Sequence, residues 1–203
     1  FRLSVRQGEL EEEREKLSII IPARALNELS RILGSGEGEM VELTVTPEQN
    51  QVLFHVRNVD LVSQLIEGTY PAYEQIVPRQ YKTQVSLDRL TFLSAVRRAS
   101  IFARDAANLL RLQIQNGDQG GPGRITLVAS AVGVGDNVDQ VDAVVEGEDM
   151  EIAFNARYLA DMLEVVDTSH IVMETTSPTS PAVFKPADLG DFLHIIMPMH
   201  IAR

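Results

Sequence analysis

Residues 150–166 read MEIAFNARYLADMLEVV, and the change of rhythm inside them decides the fold. Met150 to Phe154 is a short apolar run of strand character. Asn155 then offers a side-chain oxygen to the unpaired amides of a first helical turn. From Ala156 to Val166 apolar residues recur at helical spacing. Residues 17–33, LSIIIPARALNELSRIL, repeat the arrangement. Leu17 to Ile21 reads as a buried strand. Pro22 suits a first turn, where its missing N–H is not needed. Ala23 to Leu33 is the helix, and Gly34 ends it. Ala23-Arg24-x-Leu26 aligns with Ala156-Arg157-x-Leu159, and the same offset carries Leu29 onto Met162 and Ile32 onto Val165.

Three strands follow each helix. Met40–Thr46, Gln51–Arg57 and Val59–Ile66 follow the first, with a turn over Pro47–Asn50. Ile171–Thr175, Ala182–Lys185 and Phe192–Met197 follow the last. A looser copy lies between: strand Gln84–Leu87, helix Arg89–Ala103, then strands Leu109–Gln115, Arg124–Ala129 and Val141–Glu146. Gly117–Gly123 reads as a glycine-rich hairpin loop, and Gly133-Val134-Gly135 as strand-loop material. Order, helix length and apolar register all repeat, although identity between the copies is weak. Each copy has one helix stripe and one sheet face to bury, so two copies packed together make one α+β domain. Three copies predict one whole domain and half of another. Phe1-Arg2-Leu3-Ser4-Val5 is strand-like and no initiator Met precedes it, so the chain is expected to start inside a fold. The charge run Gly8–Lys16, GELEEEREK, reads as a solvated loop.

The composition narrows the chemistry. The 203 residues contain no Cys, which excludes disulfides and thiolate metal sites. No apolar run approaches the roughly 20 residues of a membrane-spanning helix. Eighteen Lys and Arg stand against 29 Asp and Glu, a net charge of −11. A protein that grips phosphate needs positive surface, so any basic region must be local. On the middle helix Phe92, Ala95, Val96, Ala99 and Ala103 form the core stripe, leaving Arg97, Arg98, Arg104 and Ile101 off it. On the first helix Leu26, Leu29 and Leu33 read as core, with Arg24, Glu28 and Arg31 opposite. On the last, Arg157, Asp161 and Glu164 lie opposite the core. Two readings of these arginines stand: a solvated face with local ion pairs, or a weak, sequence-blind phosphate contact surface. Aromatic interleaving for base stacking is absent, as is a helix-turn-helix pattern.

Catalytic motifs are missing. His55, His170, His194 and His200 do not fall in a zinc spacing. There is no Gly-x-Ser-x-Gly elbow, and Gly117–Gly123 lacks the Lys-Ser/Thr of a phosphate loop.

Four ordered stretches carry a family resemblance. Ile195-Ile196-Met197-Pro198-Met199 resembles the terminal signature of the bacterial sliding clamp, the β subunit of the replicative DNA polymerase III. Residues 67–78, EGTYPAYEQIVP, resemble the connector between that family's second and third domains. Phe154-Asn155-Ala156-Arg157-Tyr158-Leu159 resembles a helix start in the family, and Phe1-Arg2-Leu3-Ser4 the tail of one of its strands. The resemblance implies the clamp fold, repeated βαβββ units with helices on an inner face and antiparallel sheets outside. It implies that residues 1–78 are the second half of the middle domain and 79–203 the complete C-terminal domain. It further implies a cytoplasmic, non-catalytic processivity factor, without cofactor or membrane partner. Such a ring encircles duplex DNA, forms a homodimer when full length, is opened by an ATP-driven clamp loader, and tethers the replicative polymerase and repair proteins through short linear motifs.

Carried over by position, the peptide-binding groove comprises Arg2, Leu3, Pro71, Tyr73, Gln75, Ile76, Asn155, Tyr158, Pro181, Ile195, Ile196, Met197, Pro198 and Met199. Methionine suits a surface that must accept different peptides, because its unbranched side chain repacks easily. Ile195 to Met197 read equally well as the end of a core strand, and both readings hold if alternate residues face opposite sides. Arg24, Arg97, Arg98 and Arg104 are the implied DNA-facing residues, and Ile101 with Phe102 the implied subunit contact. Gln75 stands where a basic residue is frequent in the family, and His200 where Arg is frequent. The rival readings are a diverged clamp-like peptide-binding scaffold and an α+β hydrolase using unrecognised carboxylates.

Overall fold

The computed structural model describes residues 1–8, 16–34, 38–117, 121–131, 133, 135–188 and 190–201. The loop expected at Gly8–Lys16 therefore lies mostly outside the described residues, as do Val134 and the middle of Gly117–Gly123. In chain order the elements are β1 (Arg2–Arg6), α1 (Ala23–Leu33), β2 (Glu42–Val45), β3 (Gln51–Val56), β4 (Val59–Gln64), a single 3-10 turn (Tyr73–Gln75), β5 (Thr83–Asp88), α2 (Arg89–Ala103), β6 (Leu109–Gln115), β7 (Gly123–Ala131), β8 (Gly135–Gly147), β9 (Met150–Asn155), α3 (Ala156–Val165), β10 (His170–Thr175), β11 (Ala182–Pro186) and β12 (Phe192–Ile196). They form two compact units, Phe1–Glu9 with Tyr73–Arg203, and Leu10–Ala72.

The smaller unit packs α1 beside an antiparallel sheet of order β2-β3-β4. Val52, Phe54 and Val56 alternate into its core, as a half-buried strand requires. Two expectations fail here. Leu17–Ile21 forms no strand: Ile20 accepts one backbone bond, from Ile66 N at 2.9 Å. Apolar character favours burial, but a strand exists only as a paired ladder. Leu26, expected in the core, is 44% exposed, whereas Ala25 is buried. Apolar positions 25, 26, 29, 32 and 33 make a wide stripe, and β3 and β4, which pack on α1, bury Ala25 and leave Leu29, Ile32 and Leu33 half-buried.

In the larger unit nine antiparallel strands run in the order β1-β12-β11-β10-β5-β8-β7-β6-β9. Two successive βαβββ copies, β5-α2-β6-β7-β8 and β9-α3-β10-β11-β12, share one core. The copies meet where β5 pairs with β10 and where β6 pairs with β9, while β8 pairs with β7 and β5 of its own copy. Side-chain caps start both helices. Asp88 accepts from Thr91 N at 2.7 Å and from its hydroxyl at 2.6 Å; Asn155 accepts from Arg157 N at 3.0 Å. The predicted α2 stripe is buried throughout. Arg89, at the start of α2, donates to the carbonyls of Leu163 (3.0 Å) and Thr168 (2.7 Å) at the end of α3, tying the two helices antiparallel.

The first residues of the chain belong to the larger compact unit. All five residues of β1 pair with β12, from Arg2 opposite Ile196 to Arg6 opposite Phe192. The unpaired N–H and C=O groups on the free side of β12 are thereby satisfied, which holds the first residues of the chain to its last strand. The smaller unit ends at Ala72, and the larger one resumes at Tyr73.

Candidate functional site

The β1–β12 pair brings the two ends of the chain together. Arg2 stands opposite Ile196 and Leu3 opposite Ile195, while Ala182, next to Pro181, faces Ile196 from the other side. Beyond β12 the tail is held by two backbone bonds, Met197 N to Phe1 O (2.9 Å) and Met199 N to Ala153 O (2.8 Å). Ile195 and Ile196 are sealed in the core at 2% and 0% exposure, while Met197 is 39% exposed. Pro198, Met199 and Pro181 are half-buried. Both sequence readings of the terminal stretch thus apply to different residues of it: Ile195 and Ile196 finish the core, and the accessible surface begins at Met197.

Helix α3 supplies the adjoining wall. Its cap, Asn155, and Tyr158 one turn later are half-buried. The Arg2 guanidinium lies 4.5 Å from the centre of the Tyr158 ring, a cation–π stack, and its NH1 reaches Asp161 Oδ2 at 2.6 Å. Asp161 is one turn beyond Tyr158, so a single helix face presents the ring and the carboxylate that holds Arg2 on it. Arg2, Leu3, Ser4, Asp161, Val165 and His194 line a cleft of about 340 Å³. His194 Nδ1 is 2.6 Å from Ser4 Oγ, and its Nε2 is buried without a partner among the described residues. Burial, and then the positive charge of Arg2, lower the His194 pKa to about 4, with Asp161 acting the other way.

Tyr73 belongs to a second cleft of about 230 Å³, with Val5, Lys185, Phe192 and Leu193. Gln75 and Ile76 are exposed at the end of the 3-10 turn. Pro71 is exposed and belongs to the smaller unit. Sequence reasoning placed Asp161 opposite the core but gave it no role, and it missed Ser4 and His194. The hint was the i, i+3 spacing of Tyr158 and Asp161.

The arginines of the helices are exposed, but three have acidic neighbours. Arg97 bonds Glu164 at 2.8 Å, Arg98 bonds Asp139 at 2.7 Å, and Arg104 lies 3.7 Å from Asp105. Arg24 lines a cleft of the smaller unit with Glu28 and Val62. Exposed pairs of this kind are worth about 0–1 kcal/mol, so the guanidiniums can exchange a carboxylate for a phosphate at small cost. Ile101 is 65% exposed, and Phe102 is half-buried against the core. Among the described residues there is no cluster of three acidic, His or Cys side chains able to hold a metal ion. No described helix is long and apolar enough to cross a membrane.

Consecutive βαβββ copies sharing one antiparallel sheet define the clamp class of α+β proteins, and comparison with known proteins gives the family. Residues 1–72 match the profile of the DNA polymerase III beta subunit, central domain, and residues 74–200 that of its C-terminal domain. The beta sliding clamp of Staphylococcus aureus is 33% identical over 199 residues, covering 98% of this chain and 51% of that protein. That of Staphylococcus epidermidis is 31% identical with the same coverage. Among solved structures, the DNA polymerase sliding clamp of Bacillus subtilis superposes with a TM-score of 0.87 at 28% identity, covering 99% of this chain and 52% of that one. A Pseudomonas aeruginosa sliding clamp bound to griselimycin gives 0.86 at 25% identity, covering 98% and 52%. The chain belongs to the DNA polymerase III beta subunit family. It spans about half the length of the curated relatives it matches.

Proposed function

We propose that this chain forms the peptide-binding edge and part of the DNA-enclosing wall of a sliding clamp, a non-catalytic processivity factor of the cytoplasm. The observation that carries the reading is the consecutive match, in order, to the central and C-terminal domains of the beta subunit. In the whole protein two subunits close around duplex DNA, with Ile101 and Phe102 at the contact between them, and a loader driven by ATP opens the ring. A closed ring is retained by topology, so strong phosphate affinity would only slow its sliding. A net charge of −11, with Arg24, Arg97, Arg98 and Arg104 as weak inward contacts, suits that task. The accessible part of the groove is Met197, Pro198 and Met199 with Arg2, Tyr158 and Pro181, supported by the exposure of Met197 and the Arg2–Tyr158 stack. Leu3, Tyr73, Gln75, Ile76 and Asn155 complete it. Linear motifs of the replicative polymerase, the loader and repair proteins are its ligands.

Griselimycin, bound by the Pseudomonas aeruginosa clamp, provides a direct test. Calorimetry is expected to show that this chain binds it and that Met197→Ala weakens binding at least several-fold; unchanged affinity would remove Met197 from the site. For DNA, fluorescence anisotropy with linear duplex at physiological salt is expected to show no measurable binding by the chain alone. Tight binding under those conditions would contradict retention by topology.

A further inference from the structure

The largest cleft of those described here, about 580 Å³, lies beyond the accessible methionines and is lined by Glu151, Pro178, Thr179, Met199, His200 and Ile201. Its walls divide by chemistry. Pro178, Met199 and Ile201 are apolar, Thr179 and His200 are polar, and Glu151 brings a carboxylate from β9, the end strand of the sheet. The tail is fastened to that strand by Met199 N on Ala153 O, so Met199 belongs both to this cleft and to the proposed groove. Gln113 Nε2 donates to Glu151 Oε2 at 3.0 Å, which orients the carboxylate and leaves Oε1 for another donor. Few side chains match a cleft with an apolar wall and one carboxylate on its polar side. Lysine and arginine do, since their methylene stems pack on apolar surface while the charged head reaches a polar partner. The chain's net charge of −11 attracts a cationic segment before contact.

We propose that this cleft selects partner peptides carrying a lysine or arginine beside their apolar anchor, with Glu151 the specificity-determining residue. The inference rests on the groove reading above and names the class of peptide that it takes. An exposed charge pair of this kind is worth up to about fivefold in affinity, and 0.5 M salt screens most of it.

The test uses fluorescein-labelled nonapeptides with an anchor of two adjacent large apolar side chains. Each carries one lysine at a scanned position and is matched by the same peptide with norleucine, which keeps the stem and removes the charge. At one position the lysine peptide is expected to bind about three- to fivefold tighter than its partner, and Glu151→Gln should erase that ratio while leaving norleucine affinity unchanged. Equal ratios in both proteins, with binding still sensitive to Met197→Ala, overturn the inference and leave the groove standing. Failure of every peptide to bind overturns both. A lysine preference seen only when Arg203 is deleted assigns the cleft to the chain's own end and likewise overturns the proposal.

Discussion

At the scale of single residues, His194 couples the two ends of the chain to pH. Its ring is buried between β1 and α3, with Ser4 on one nitrogen and no described partner on the other. Burial disfavours the charged ring, and protonation would also place a second cation near Arg2, so the pKa falls from 6.5 to about 4. A histidine with a lowered folded pKa contributes stability that is present above 6.5 and lost as pH falls toward 4, because the unfolded chain takes up the proton first. Urea titrations across that window are expected to show the larger unit weakening on acidification. His194→Gln should flatten the slope; a slope that persists would place the titrating group elsewhere. Nothing in the sequence announces this pair, since Ser4 and His194 stand 190 residues apart.

At the scale of elements, the helices were legible and the strands only partly so. The sequence predicts a helix over residues 89–103 and the structure has one, because local rules suffice: an apolar stripe and no internal breaker. Asp88 caps that helix twice over through Thr91, and those bonds hold its pKa below the usual carboxylate value. Its contribution is therefore present at neutral pH and lost as pH falls through the lowered pKa. Asp88→Ala and Asn155→Ala are each expected to cost about 1 kcal/mol in thermal or urea unfolding at pH 7. A change within error would mean that water serves these amides equally well. Leu17–Ile21 illustrates the opposite case. Its residues have strand character, but no neighbour among the described residues completes a ladder, and composition cannot supply one.

At the scale of the whole molecule, the two units have unequal cores. Ala25, Val52, Phe54 and Val56 are the buried apolar residues of the smaller one among those described, whereas the larger one seals both helices against nine strands. Limited proteolysis is expected to cut within residues 10–72 first and to leave a product containing residues 73–201. Phe54→Ala, which empties most of the smaller core, should speed the first cut without changing the second, and equal protection of both units would contradict the separation. The two βαβββ copies of the larger unit, the Asn155 cap, the α2 core stripe and the family signature at residues 195–199 all rest on neighbours within a few positions, so the sequence by itself determined them. Tertiary structure alone decided that β1 closes on β12, that Ile196 is sealed while Met197 is open, and that Asp161 holds Arg2 on Tyr158. Each of those depends on strand pairing and packing between residues far apart in the chain, for which local periodicity carries no signal.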